Sequence, residues 1–131
     1  MTSRIVFDRV LPATRIAVSD REPARATVWL SGEVDAECAQ ALRRELICQQ
    51  MAARRLVRID LNAVTMLDGT ALGVLVDAHH VWLRMRGTLV LLGVAGPALR
   101  VFRLTGMDRE LFHMPPSADA ALGRELVGLA G

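Results

Sequence analysis

The chain has 131 residues, of which 52% are hydrophobic, enough for one domain with a substantial core. The formal net charge is +2, there is no lysine, and the arginines are scattered among 14 acidic residues without forming a basic stripe. Aromatic residues make up only 4% and tyrosine is absent, which argues against nucleic acid as a partner because the stacking platforms are missing. No apolar run is long enough to cross a bilayer. Met1 to Asp8 carries a charge every few residues and lacks the apolar centre of a signal peptide, so a cytoplasmic protein without membrane insertion is expected.

In chain order, Thr14–Val18 and Thr27–Leu30 are β-prone runs joined by the polar stretch Ser19-Asp20-Arg21-Glu22-Pro23. Ser31 to Asp35 is expected to break the second strand. Asp35 then caps a helix running to about Ala53 with Ala39, Leu42 and Leu46 on its inner face. Cys38 and Cys48 lie ten residues apart on this helix, roughly 15 Å at a rise of ~1.5 Å per residue, too far for a disulfide. They read as buried or half-buried thiols in a reducing compartment, with a redox role left open. A strand over Leu56–Leu61 is followed by a short turn and a helix from Asp68 to about Arg86, closed by Gly87 at the position after the cap.

Thr88–Val94 is continuously apolar, as in a central strand covered on both faces. Gly96-Pro97 opens a further helix that Gly106 closes. A last edge strand near Leu111–Met114 and a terminal helix from Ala118 to about Leu129 complete the pattern. Strand and helix alternate as in βαβ units, which implies an α/β fold with a mostly parallel sheet.

The chemistry of an enzyme is missing from the sequence. Without lysine there is neither a phosphate-loop motif nor a Schiff-base residue. No serine stands in a Gly-x-Ser-x-Gly turn. His79 and His80 are adjacent on a helix, about 100° apart, and cannot chelate one metal together; His113 is alone. Gly93 to Gly96 is better explained as a tight turn than as a dinucleotide loop, since the third glycine is lacking. No cofactor or metal is expected.

The informative run is Asp60 to Gly73. Asp68 is a good N-cap, and Thr70 follows in the first turn, where unpaired N–H groups and the positive end of the helix dipole would favour a phosphate. This arrangement suits a switch better than a catalyst. On the same helix, Leu72, Leu75, Val76, His79 and Leu83 gather on one face, expected to pack on the sheet. Thr70, Val74, Asp77, Val81 and Met85 form a second stripe on the other side. Two readings of it are evenly matched: a stripe covered by neighbouring elements, or an exposed docking surface headed by a phosphorylatable residue.

These residues resemble a known family. Asp60-Leu-Asn-Ala-Val-Thr-Met-Leu-Asp-Gly-Thr-Ala-Leu-Gly73 is similar to the core motif of STAS domains, in which a strand ending in Asp-Leu leads to Asp-Ser-Ser-Gly-Leu-Gly at a helix start. Leu30 to Asp35 resembles the family's Gly-Glu-x-Asp turn. Arg86 to Leu91 resembles its Gly-Gly-x-Leu-x-Leu strand entry, and Leu104 to Asp108 its Leu-Thr-Gly-Leu-Asp helix close. The matches fall in order over nearly the whole chain. The resemblance implies a single STAS domain over residues 1–131, with its core at about 13–129. Its fold would be one mixed, mostly parallel sheet of four to five strands flanked by about four α-helices.

The resemblance further implies an anti-sigma factor antagonist. Unphosphorylated, such a protein binds an anti-sigma factor that is also a serine/threonine kinase; phosphorylation releases it and a phosphatase resets it. Carried over, the phosphoacceptor is Thr70, with Asp68, Asp35, Gly69 and Ala71 as neighbours. Glu33, Val74, Asp77, Val81 and Met85 are the candidate partner-binding residues. Gly69 stands where the motif has its first serine, Ala71 where it has glycine, and threonine replaces serine as acceptor. The alternative is an unphosphorylated scaffold or docking subunit, in a stress-signalling complex or a lipid-transport ABC system. A homodimer stays open.

Overall fold

The computed structural model describes residues 3–116. The elements are β1 (Arg4–Arg9), β2 (Thr14–Ser19), β3 (Arg25–Val34), α1 (Ala36–Met51), β4 (Leu56–Leu67), α2 (Gly69–Arg84), β5 (Thr88–Leu92) and α3 (Gly96–Thr105). They build one mixed five-stranded sheet in the order β1-β2-β3-β4-β5. The first two pairings are antiparallel and the last two parallel. The expected terminal helix, Ala118 to Leu129, lies outside the described residues.

Alternation builds the core. Ile16 and Val18 of β2, Val28 and Leu30 of β3, Val57 and Ile59 of β4, and Leu89 and Leu91 of β5 are all buried. Each such side chain, fully withdrawn from water, is worth roughly 1.5–3 kcal/mol. Cys38, Ala39, Leu42 and Leu46 of α1 and Leu72, Leu75, Ala78 and Trp82 of α2 belong to the same cluster. The β3–α1–β4 and β4–α2–β5 crossovers are the parallel connections that the alternating pattern implies.

Several expectations are corrected. β1 was not foreseen: its sequence, Arg-Ile-Val-Phe-Asp-Arg, is charged and only six residues long. It is fastened from outside the strand. Arg4 pairs with Asp20 and with Glu45 of α1, and the Gln49 amide donates to the same two carboxylates. Its charges also suit an edge, where they discourage pairing with another chain. The run 88–94 is not a central strand. β5 borders the sheet, and beyond it lies only an isolated parallel bridge from Leu91 to His113 among the described residues.

β3 is not broken at Ser31. It continues through Gly32, whose φ is +80° and whose site would place a Cβ 1.9 Å from the Ala13 carbonyl oxygen. β4 likewise runs on to Leu67, pairing Ala63, Val64, Met66 and Leu67 with β3. The end of α2 differs too. Arg86, not Gly87, takes the left-handed conformation, at φ 60°. Gly87 N–H donates to the Trp82 carbonyl at 2.8 Å and Arg86 N–H to that of Leu83 at 3.1 Å, a Schellman close. Gly87 is needed for close approach, since a Cβ there would lie 2.8 Å from the Trp82 ring and 2.9 Å from the Arg55 carbonyl.

Candidate functional site

The extension of β3 and β4 sets the site. Because these parallel neighbours end together, with Val34 opposite Leu67, α1 and α2 begin side by side. Asp68 N–H donates to the Val34 carbonyl at 3.1 Å and joins the two starts. Each is capped by an aspartate. Asp35 accepts from Cys38 N–H at 3.2 Å and Asp68 from Ala71 N–H at 3.0 Å. Sequence reasoning placed both caps, and the structure brings Asp35 and Asp68 to one end of the sheet with Gly69, Thr70 and Ala71.

Their surroundings differ. Arg9, at the end of β1, grips Asp35 in a fork, with Nη1 to Oδ1 at 3.1 Å and Nη2 to Oδ2 at 2.9 Å. The same guanidinium reaches Glu37 at 3.0 Å, the Thr14 hydroxyl at 2.8 Å and the Pro12 carbonyl at 2.9 Å. The Thr14 hydroxyl donates to the Glu33 carbonyl at 2.7 Å. The Arg9 bonds, above all, hold the Asp35 carboxyl below its ordinary pKa, with Cys38 N–H adding to the effect against partial desolvation. Glu33, half-buried, is thereby fixed through its backbone.

At the second start, Thr70 is the second helical residue and is exposed. Its hydroxyl makes no hydrogen bond among the described residues, unlike that of Thr105, which returns to the Val101 carbonyl at 2.8 Å. The two departures from the motif are accommodated. Gly69 faces open space, where an added Cβ meets nothing within 4 Å. Ala71 is fully buried and carries the capped N–H.

The second stripe of α2 divides. Val74 is only 3% exposed and packs in the seam with α1, beside Leu46 and Ile47, so it is not available for docking. Val81 is half-buried at the same seam, while Asp77 and Met85 are exposed. On the inner stripe, Leu72, Leu75 and His79 are buried, but Leu83 is 47% exposed and Trp82 takes the core position instead. Trp82 is buried as a polar-tipped ring because Nε1 donates to the Arg54 carbonyl at 2.8 Å.

Cys38 is buried as expected, and burial above all, with the charge of Asp35, pushes its thiol pKa up to about 11. Cys48 is exposed, against expectation. No group of three or more His, Cys, Asp or Glu able to hold a metal occurs among the described residues, and no described helix is long and apolar enough to cross a membrane. Three features escaped sequence reasoning. One is the Arg9 clamp. The second is the β1–β2 tip, where Val10 and Leu11 are 90% and 88% exposed. The third is a cleft beside Thr70 that contains Arg43 and Arg44. None has a local signal, since each depends on elements meeting in space.

A mixed sheet with two parallel crossovers and paired helix starts places this chain in the class of small α/β domains. The family model described as "Mlab, STAS domain" matches residues 17–116, and the chain belongs to the STAS domain family. The anti-sigma-B factor antagonist of Listeria monocytogenes is 32% identical over 93 residues, covering 71% of this chain and 82% of that protein. Among solved structures, an anti-sigma factor antagonist from Mycobacterium paratuberculosis superposes with a TM-score of 0.72 at 24% identity, over 90% of this chain and 97% of the other. The Bacillus cell fate determinant SpoIIAA in its phosphorylated form gives 0.65 at 16% identity, over 83% and 97%.

Proposed function

We propose that this chain is an anti-sigma factor antagonist whose binding is switched off by phosphorylation of Thr70. The observation that carries the reading is the Thr70 hydroxyl, exposed at the second position of α2 and free of any described hydrogen bond. The antagonist role is supported by the Listeria relative, which is named an anti-sigma-B factor antagonist. Thr70 Oγ attacks the γ-phosphorus of ATP held by the partner kinase, and the bond from that phosphorus to the bridging oxygen breaks. ADP leaves and the hydroxyl proton passes to a base of the kinase. The new dianion stands at the head of the α2 stripe on which Asp77 and Met85 are exposed. A phosphatase reverses the step with water.

Binding to the cognate anti-sigma factor tests this directly. Thr70→Ala retains affinity, whereas Thr70→Glu weakens it on the order of a hundredfold through uncompensated charge at the contact. Equal binding by the two variants contradicts the switch. The glycine at position 69 and the alanine at position 71 favour a second reading, a constitutive docking subunit, for which a stable complex insensitive to Thr70→Glu is the expected mark.

A further inference from the structure

On α1, Ala39, Gln40, Arg43 and Arg44 follow at helical spacings of three and four and form one ridge. Opposite them, Thr70 and Val74 stand one turn apart on α2. Together these six residues line an open cleft of about 390 Å³. Its floor is apolar, because Ala39 and Val74 are buried. Its rim is polar, because Gln40, Arg43, Arg44 and Thr70 are exposed.

The charges on the rim are unbalanced. Arg4, Arg9, Arg15 and Arg54 each pair with a carboxylate. Arg43 and Arg44 pair with none among the described residues. The cleft therefore brings together two uncompensated guanidiniums and one unengaged hydroxyl, with no acidic side chain in its lining. At the α2 start the Asp68 carboxylate satisfies Ala71 N–H, which leaves the N–H groups of Gly69 and Thr70 without intrahelical partners.

We propose that this cleft is a receptor for a phosphate monoester, and that its ligand is the phosphate carried by Thr70 itself. The proposal rests on the reading that Thr70 is the phosphoacceptor and adds what the phosphate does next. A phosphothreonine brings about two negative charges and three acceptor oxygens, matched by two planar donor forks on the facing helix. The phosphate turns a positive, open cleft into a neutral, cross-linked one and ties α1 to α2. A partner that places an acidic group against Arg43 and Arg44 then loses its counter-charges as well as meeting the phosphate. A glutamate at position 70 has one charge and two oxygens, and reproduces this closure only in part.

The test places phosphothreonine at position 70 by genetic-code expansion, so that no kinase is needed. The second ionisation of the phosphate is followed by ³¹P NMR in the wild-type background and in Arg43→Gln/Arg44→Gln, each folded and in urea. Both arginines are exposed, so the double variant is expected to fold, which the amide spectrum checks. The folded wild type is expected to titrate about one unit below its unfolded form, and the double variant to lose half of that shift or more. The remainder belongs to the helix N-terminus. Identical titration with and without the arginines overturns the proposal. Inorganic phosphate titrated into the unmodified protein separates the sources. If it binds through Arg43 and Arg44 while the phosphothreonine ionisation ignores them, the cleft takes a free phosphate and the intramolecular assignment is wrong. Failure of the parent reading is seen elsewhere: protein from its host without a phosphoryl mass increment refutes the kinase switch and leaves the NMR result standing.

Discussion

The two helix starts at the end of β3 and β4 share a local design and differ in what surrounds it. Both have an aspartate N-cap bonded to the N–H three residues on. At the α1 start, Arg9 occupies the carboxylate with a fork and ties it to β1, Thr14 and Glu37. At the α2 start no cation pairs with Asp68 among the described residues, and the neighbouring Thr70 hydroxyl stays open to solvent. The same capping chemistry thus supplies one clamped corner and one open corner side by side. The difference comes from the tertiary partner, not from the cap.

The largest expected effect comes from disturbing the close β3 contact that seats the β1–β2 hairpin carrying Arg9. Gly32→Ala places a methyl group 1.9 Å from the Ala13 oxygen at a φ of +80°. A loss of about 3 kcal/mol or more is expected in chemical denaturation, with displacement of the β1–β2 hairpin. Wild-type stability in that variant would mean that the hairpin yields cheaply and that the α1 start is not rigid.

A direct comparison of the caps comes next. Asp68→Ala removes one capping bond and is expected to cost about 1 kcal/mol. Asp35→Ala removes the equivalent bond and also strips Arg9 of its bidentate partner, so it is expected to lower the melting temperature more than Asp68→Ala does. The reverse order would show that the Arg9 fork contributes nothing.

The smallest effect is on pH dependence. The Asp35 pKa is lowered in the folded state, chiefly by Arg9. Its contribution is therefore fully present above the unfolded carboxylate value and is lost as pH falls through the folded value. Arg9→Gln is expected to raise the Asp35 pKa toward its ordinary value, followed by carboxyl ¹³C NMR. It is also expected to narrow the stability gap to wild type as the solution is acidified. An unchanged Asp35 titration would break the claimed asymmetry.

Much of this corner was legible in the sequence because it depends on local chemistry. Asp35, Asp68 and Thr70 could be placed from capping rules and helix-dipole arguments alone, and the order of elements from β2 to α3 followed from periodicity. What was not legible depends on distant partners. β1 is a strand because Arg4 and Arg9 find carboxylates 41 and 26 positions away, which no local pattern reveals. Val74 looked as available as Thr70 on the α2 helix, and only the presence of α1 buries it. β4 runs past Leu61, where a turn was expected, and the Asn62 N–H and side-chain amide both bond to the Asp60 carboxylate, at 2.9 and 3.0 Å, within the strand. The family motif supplied Thr70 with a role but had nothing to say of Arg43 and Arg44, which meet it across the seam.

The central claim is that the open corner receives a phosphoryl group, and intact mass measures it most directly. Protein purified from its own host under growth and under stress is weighed beside the Thr70→Ala variant. A single phosphoryl increment on the wild type, absent from the variant, is the expected result. Wild-type protein without the increment in every condition, or a variant that still carries it, would contradict the account.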